Sequence, residues 1–331
     1  MRKFIYTIIA FSSIVVSLYY LLSFSVKSDY IGNDYMSAIV FKHNRVKNLN
    51  RPKIIFAGGS NLALGLNSEL IEKELNAPVV NLSLHAGLGL DFMLNELKAV
   101  IIKNDVVFLS TEYFLDLTGE LELKRLTSNY YSDARKYYID DELNSFAYWL
   151  NYSKQSVSRS LDLTRINLEA LDLRQNPIQK EKSDEDVYSR NGFNKYGDVI
   201  SHLNKVPFPK KLNGRMLFKY FYWDGINQLN EFHKYAKEKG VTVFFVYPNY
   251  CESQFNQNKN VINKLALDMS KDLKMEILNS PSDFVYPDSL FFDTVYHLNK
   301  EGREKRTKRM IELIKQNVIS QRVINNITFC N

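Results

Sequence analysis

The stretch that decides the fold is Lys53-Ile-Ile-Phe-Ala-Gly-Gly-Ser60-Asn61, in which a short apolar run ends in two glycines and a serine. A continuous apolar run of this length is typical of a strand that is buried on both faces of a parallel sheet. Similar runs follow at residues 78–82 and 105–110. Together they predict a parallel sheet with helices packed on both sides.

Segments with helical periodicity separate these runs, at residues 68–75, 90–102, 225–239 and 258–273. Further strands are predicted at 241–246 and 275–278, and the final helix begins after Asn299, which suits a helix N-cap. The expected fold is therefore α/β, a flavodoxin-like three-layer α/β/α arrangement around a parallel sheet.

An uncharged run of 23 residues, 4–26, follows Arg2 and Lys3. At about 1.5 Å per residue this run is long enough to cross a bilayer. Its length, and the lack of a small-x-small cleavage site after it, favour a retained anchor over a cleaved signal peptide. The two basic residues predict a cytoplasmic N-terminus and an extracytoplasmic C-terminal domain, periplasmic or at the cell surface. We expect a transmembrane anchor over 1–27, a connector over 28–50 and the α/β domain over 51–325.

The α/β alternation breaks between about residues 118 and 215, where tyrosine, asparagine, serine and charged residues dominate. Helix-like pieces at 141–152 and 156–173 indicate a mostly helical insertion into the α/β domain. Its aromatic side chains would either stack on sugar rings or pack the insertion onto the sheet, and the sequence leaves both open. They are Tyr130, Tyr131, Tyr137, Tyr138, Tyr148 and Trp149.

The composition excludes several classes of partner. The chain has 331 residues and a net charge of +6, but no basic cluster is interleaved with aromatic residues, so nucleic acid is not an expected partner. The other histidines, His43, His85, His202 and His233, share no ligand spacing, so we predict no metal site. We expect no cofactor either. Cys251 and Cys330 are the only cysteines. The sequence leaves open whether they pair.

Polar residues follow the predicted strands at their carboxyl ends, where ligands gather in parallel sheets. They are Ser60, the loop 83–89, Glu112 and Asn249. The two glycines before Ser60 let the backbone turn tightly and leave the serine hydroxyl uncovered. The pattern Gly-Gly-Ser-Asn-Leu is neither the Gly-x-Ser-x-Gly elbow of α/β-hydrolases nor a phosphate-binding loop.

A carboxylate and an imidazole occur together in Asp293-Thr-Val-Tyr-His297-Leu, just before the last predicted helix. A serine after the first strand and a late Asp–His pair suit acyl transfer through a serine ester. This order of motifs resembles the SGNH/GDSL hydrolase superfamily over roughly residues 50–115 and 225–315. Asp293, His297, Leu298 and Gly302 are most similar to its membrane-tethered polysaccharide branch, which includes the D-alanine-transfer protein of teichoic acid synthesis and the alginate acetyltransferases.

The resemblance implies a role for each matching residue. Ser60 would be the nucleophile, His297 its general base, and Asp293 the residue that orients the imidazole. Gly87, in the loop after the second strand, would donate a backbone amide to the oxyanion, as would Ser60 itself.

Two positions depart from the pattern of the superfamily. Glu112 stands where an oxyanion-hole asparagine is expected, and a carboxylate there would repel a developing oxyanion unless it is protonated or turned away. Asn61 or Asn249 would then serve in its place. Asp293 and His297 are separated by three residues instead of two, which makes Asp288 a rival for orienting the imidazole.

The sequence therefore predicts a membrane-anchored, extracytoplasmic serine acyltransferase or esterase acting on an envelope or secreted polysaccharide. The expected partners are a polysaccharide or glycolipid substrate, the membrane through residues 4–26, and a multi-span membrane acyltransferase. Transfer is preferred to hydrolysis because an anchor suits a substrate made at the membrane. The alternative is a catalytically inactive SGNH-fold scaffold of a polysaccharide assembly system, which Glu112 and the altered Asp–His spacing favour.

Overall fold

The computed structural model describes residues 2–25, 33–49, 51–140, 187–207 and 212–319. Residues Arg2–Ser25 form a single helix, α1. In the described parts of the chain, no helix combines the length and the apolar character that crossing a membrane requires. A separate compact unit contains Asn33–Tyr138 and the described residues that follow Glu185.

The compact unit is built on parallel strands. In chain order the strands are β1 Ile54–Gly58, β2 Val79–Asn81, β3 Val106–Ser110, β4 Thr242–Phe245, β5 Tyr250–Cys251, β6 Glu276–Ile277 and β7 Val285–Tyr286. Five of them form one sheet in the order β2-β1-β3-β4-β6, with every pairing parallel. Strands β5 and β7 form a separate parallel pair. The predicted α/β class and parallel sheet are confirmed.

Helices connect these strands and lie on both sides of the sheet. They are α2 Ile39–Asn48, α3 Ser60–Ala63, α4 Ser68–Leu75, α5 Gly89–Val100, α6 Leu121–Tyr130, α7 Gly225–Glu238, α8 Glu252–Asp272 and α9 Lys300–Ile314. The helix predicted over 258–273 begins six residues earlier than expected. Asn299 caps α9 as predicted, since its side chain accepts a hydrogen bond of 3.0 Å from the Gly302 amide.

The side chains of the central strands alternate between two buried faces. Ile55 and Ala57 of β1 pack in one core with α5, α7 and α8, whereas Ile54 and Phe56 pack in the other with α4 and α9. On that second face, Phe56 stacks on Phe108 of the neighbouring strand at 5.2 Å between ring centroids. Burial on both faces explains why these strands are continuous apolar runs.

The stretch before β1, predicted as a polar connector, contains a 3₁₀ turn at Tyr35–Ala38 and the helix α2. Its polar side chains are buried: Lys42 Nζ donates to the carbonyls of Asn81, Ser83 and Gly197 at 2.6–3.0 Å. A third apolar cluster joins this stretch to the start of the predicted insertion, including Tyr137 and Tyr138. Both tyrosines are therefore packing residues here.

Several predictions fall outside the described residues. These are the helices expected at 141–152 and 156–173, the aromatic residues Tyr148 and Trp149, and the position of Cys330. Cys251 itself is fully buried, with its sulfur 3.7 Å from Ser253 Oγ.

Candidate functional site

Asp293 and His297 lie in a short loop before α9, and the structure brings their side chains together. His297 Nδ1 donates to Asp293 Oδ1 at 2.9 Å, and both residues are buried, with 8% and 7% of their surface exposed. Within the described chain, His297 Nε2 makes no hydrogen bond. The imidazole is thus held through one nitrogen and has the other available to accept a proton, which is the arrangement a general base requires.

Tyr188 completes this group, which we call the Asp–His cluster (Tyr188, Asp293 and His297). Its hydroxyl donates to Asp293 Oδ2 and lies 3.1 Å from His297 Nδ1. Both oxygens of the Asp293 carboxylate are therefore bonded. Burial alone would raise the pKa of Asp293, but the hydrogen bond and charge of His297 and the bond from Tyr188 outweigh it and lower that pKa.

Asp288, the rival residue for orienting the imidazole, is bonded elsewhere. Its carboxylate accepts from the Ser253 amide at 3.0 Å and from Ser253 Oγ at 2.5 Å. It also pairs with Arg215 at 3.0 Å. Asp293 is accordingly the carboxylate that contacts His297, and the loop accommodates the extra residue between them.

Ser60 begins the short helix α3 directly after β1, at the carboxyl end of the sheet. It is partly exposed, and its Oγ makes no hydrogen bond among the described residues. We call residues 58–61 the serine turn. The glycines are needed there for close approach: a Cβ at Gly58 would overlap the Ser110 carbonyl, and one at Gly59 would overlap the Glu112 carboxylate.

Glu112 fills the space beside the serine turn. Its Oε1 accepts a hydrogen bond of 3.0 Å from the Asn61 amide, and its Oε2 is buried with no partner among the described residues. Only 8% of Glu112 is exposed. The carboxylate thus faces the backbone next to Ser60, where an acyl oxyanion would need hydrogen-bond donors.

Asn61 and Asn249, predicted as alternative oxyanion donors, are fully buried and committed to a structural network. Asn61 Nδ2 donates to the Ser110 carbonyl at 3.0 Å, and Asn249 Nδ2 donates to the Tyr296 carbonyl at 2.7 Å. Their side-chain oxygens both accept from the buried Arg306, which also donates to the Asn61 carbonyl. These amides hold the turn and the loop in place and are not free to bind a ligand.

The Gly87 amide is also occupied. It donates to His85 Nδ1 at 2.9 Å, so His85 carries its proton on Nε2. That Nε2–H has no hydrogen-bond partner among the described residues. Burial lowers the pKa of His85; the charges of Glu112 and Glu120 oppose this shift and that of His297 adds to it. His85 is therefore a neutral donor that lies within electrostatic reach of both Glu112 and His297.

No hydrogen bond joins Ser60 directly to His297 in the described structure, but a chain of contacts connects the serine turn with the Asp–His cluster. Arg306 binds Asn61 and Asn249, and Asn249 binds the residue before His297. The Tyr296 hydroxyl accepts from the Tyr113 amide at 3.1 Å, which ties the same loop to the residue after Glu112. Ser60, Glu112 and His297 thus belong to loops that are bonded to one another at one end of the sheet.

Sequence reasoning missed two contributors to this site. Tyr188 lies within the predicted insertion, more than 100 residues before its partners, and no local motif marks it. Arg306 lies on a helix face that reads as polar and basic, yet it is completely buried. The only signal that could have indicated it is an arginine nearly two turns after a predicted helix start that follows the predicted catalytic loop.

No family model and no curated protein matches this sequence.

Proposed function

We propose that this chain is a serine acyltransferase or esterase in which Ser60 is the nucleophile, His297 the general base and Asp293 the residue that orients His297. The observation that carries the proposal is the 2.9 Å bond from His297 Nδ1 to Asp293, which leaves Nε2 unpaired among the described residues. Ser60 follows β1 at the same end of the sheet, is partly exposed, and has a hydroxyl without a hydrogen bond among the described residues. Such a pair of groups performs nucleophilic acyl transfer in many unrelated folds.

The proposed reaction has two steps, acylation of Ser60 and transfer of the acyl group from it. Ser60 Oγ attacks the acyl carbonyl and its proton passes to His297 Nε2, which then protonates the departing alkoxide to leave an acyl-serine. A sugar hydroxyl or water attacks the acyl-serine in turn, gives its proton to His297 and returns Ser60 with its own proton restored. Asp293 and Tyr188 stabilise the imidazolium that forms in each step, because Asp293 accepts from Nδ1 and its second oxygen is bonded by Tyr188.

Of the oxyanion donors predicted by sequence only the Ser60 amide is left, because Gly87, Asn61 and Asn249 are all engaged. In this proposal the Ser60 amide and the Nε2–H of His85 take that role. His85 suits it because its tautomer is fixed by the Gly87 amide and its lowered pKa keeps it neutral. Glu112 must then move away as the oxyanion forms, since its carboxylate lies against the same backbone.

The proposed substrate is an envelope or secreted polysaccharide or a glycolipid, with a multi-span membrane acyltransferase as the acyl supplier. This part rests on the SGNH-like motifs and on the apolar α1.

Within α1, Phe4, Tyr6 and Phe11 are 69%, 69% and 68% exposed, so these side chains require apolar cover. We propose that residues 4–26 provide a membrane anchor with the α/β domain on the extracytoplasmic side. Alkaline phosphatase fused to the C-terminus should then be active, and an active cytoplasm-only reporter at that position would contradict this topology.

Covalent labelling by a fluorophosphonate tests the catalytic proposal. The full chain should be labelled and should hydrolyse a small acyl ester, and Ser60→Ala should abolish both. Ser280→Ala, which changes an exposed serine that follows another strand, is the matched control and should behave as the parent. Equal labelling of the parent and the Ser60→Ala protein would refute the proposal.

The alternative function is a binding scaffold that has lost chemistry. A specific observation favours it: the carboxylate of Glu112 already accepts a hydrogen bond from the Asn61 amide beside Ser60, and a carboxylate at this position would repel an oxyanion. A scaffold would show no labelling of Ser60, and its Ser60→Ala variant would retain full function in the cell.

A further inference from the structure

A cavity lies at the opposite end of the sheet from Ser60. It has a volume of about 650 Å³ and is bordered by Lys53, which precedes β1, and by Ile102, which precedes β3. Ser60 follows the other end of β1. The volume is that of a typical pocket for a small ligand or for a saccharide unit of a polymer. No step of the proposed reaction uses this cavity.

Basic groups outnumber acidic ones around this space, which we call the lysine cavity. Lys47, Lys53, Lys98 and Lys136 line it, and Asp133 is its single carboxylate. Two of the lysines are already neutralised: Lys53 Nζ lies 3.2 Å from the buried Asp105, and Lys136 Nζ lies 2.7 Å from Asp133. Lys47 and Lys98 form no ion pair in the described structure, although Lys98 Nζ donates to Asn95 Oδ1 at 3.3 Å and the charge of Lys47 helps to lower the pKa of Asp133.

Aromatic side chains form a wall of the same cavity. Tyr131 stacks on His43 at 4.3 Å between ring centroids, and Tyr137 lies 6.1 Å from His43 on a nearly parallel plane. His43 is fixed by a 2.8 Å bond to Glu96, so the wall is rigid. Lys47 Nζ lies 5.6 Å from the Tyr131 ring centroid, which places an ammonium group against this wall.

Rigid aromatic rings suit the apolar face of a sugar, and ammonium groups that are not neutralised by an ion pair suit an anion. We propose that the lysine cavity binds an acidic saccharide unit, with its carboxylate or phosphate at Lys47 and Lys98 and its ring against Tyr131. It would act as a holding site for an acidic glycan, separate from the site at Ser60. The inference does not rest on catalysis, because it concerns binding alone.

Calorimetric titration of the full chain carrying Ser60→Ala tests this proposal, since turnover is then removed from the measurement. The probes are an oligogalacturonate, which offers carboxylates, a 6-phosphorylated mannan oligomer, which offers phosphates, and a dextran oligomer of equal length, which offers neither. At least one acidic probe should bind about tenfold or more tightly than dextran, and the tighter one identifies the anionic group. Absence of binding by both acidic probes, or equal binding of dextran, would overturn the inference.

The double variant Lys47→Gln/Lys98→Gln should bind the acidic probe about a hundredfold more weakly, as expected for the loss of two charge-assisted hydrogen bonds. Lys271→Gln removes an exposed lysine of α8, outside the cavity, and should leave the affinity unchanged. Should the double variant fail to fold, Lys47→Gln alone changes an exposed side chain and should cost about tenfold. Unchanged affinity in folded variants of these lysines would contradict the proposal.

Discussion

The Asp–His cluster and the serine turn differ in what their polar groups bond. In the Asp–His cluster, Asp293 is satisfied on both oxygens and His297 presents one nitrogen without a partner among the described residues. In the serine turn, the Asn61 amide is already bonded to a carboxylate, and the second oxygen of Glu112 is buried with no described partner. The first region thus has a nitrogen available for a proton, whereas the second has a carboxylate at the position where the proposed reaction would develop a negative charge.

This difference indicates that the proposed base and the proposed oxyanion site can differ in how far their polar groups are prepared, even though hydrogen bonds connect their loops. In the Asp–His cluster, both Asp293 oxygens and His297 Nδ1 are already bonded, whereas in the serine turn the Glu112 carboxylate has to move away before an oxyanion fits. The variants that follow change residues of one region or of the contacts that hold it, and ester turnover or stability is then measured.

The largest effect is expected from His297→Ala. Removing the base should lower ester turnover about a thousandfold or more, and adding Ser60→Ala should lower it hardly further, because members of a triad act as one unit. Steady-state kinetics of the single and double variants measures this, with His233→Ala of α7 as a control that should remain active. Additive losses would show that the two regions do not work together.

A large loss of stability is expected from Arg306→Met. Arg306 is fully buried and donates to three acceptors of Asn61 and Asn249. The variant leaves the Asn61 carbonyl and Asn249 Oδ1 buried without a described donor, whereas Asn61 Oδ1 keeps its 3.3 Å bond from Ser110 Oγ. We expect a loss of about 3 kcal/mol or more in the free energy of unfolding. Urea unfolding measures it. Arg309→Met, which alters an exposed residue of the same helix, should change stability by about 0.5 kcal/mol or less. A loss similar to that control would mean that the network does not hold the serine turn.

Stability should also depend on His202, which donates to the Leu298 carbonyl next to His297 at 3.0 Å. Burial, together with the charge of Arg303, lowers its pKa from 6.5 to about 4. The unfolded chain therefore binds a proton that the folded chain does not between these pH values, so stability falls as pH drops from 6.5 towards 4. The loss attributable to this group is roughly 3 kcal/mol over that window.

His202→Gln keeps a donor for the Leu298 carbonyl but cannot titrate. Urea unfolding at pH 7 and pH 4.5 should therefore show a smaller pH-dependent loss in the variant than in the parent. Equal losses in both proteins would show that His202 is not the group responsible.

The sequence predicts β1, β3 and β4 to within one residue at each end, because strands buried on both faces must be continuous apolar runs. It does not predict α2, whose Lys42 reads as a surface residue. That lysine is buried because three carbonyls distant in sequence accept its protons, and such partners cannot be read from local composition.

The same distinction applies to the site. Asp293 and His297 are four residues apart, so a loop can bring them together and the sequence can suggest it. The Gly87 amide was predicted as an oxyanion donor, but its direction depends on the side-chain position of His85. Which hydrogen-bond partner an amide takes is decided by tertiary packing, and the sequence motif alone does not determine it.

A smaller effect, of opposite sign, is expected from Glu112→Asn. Removing the carboxylate beside Ser60 should raise ester turnover about tenfold, because a charge no longer opposes the developing oxyanion. Glu120→Gln is the matched control, since Glu120 is exposed and its charge also acts on His85. The control should leave turnover within about twofold if only the contact at the serine turn matters. A fall in turnover for Glu112→Asn would instead give Glu112 a necessary role in the reaction.

The smallest effect is expected from Tyr188→Phe, which removes one bond to Asp293 and leaves the bond between His297 and Asp293 intact. Turnover should fall by about tenfold or less, the usual value of one hydrogen bond to a charged group. Because the Tyr188 bond helps to lower the pKa of Asp293, that pKa should rise in the variant, and the loss of turnover that follows protonation of Asp293 should begin at a higher pH. Tyr220→Phe removes a hydroxyl bonded to the exposed Asp268 and should leave the profile in place. If Tyr188→Phe lowered turnover without moving the profile, Tyr188 would act by packing, and Asp293 would be held by His297 alone.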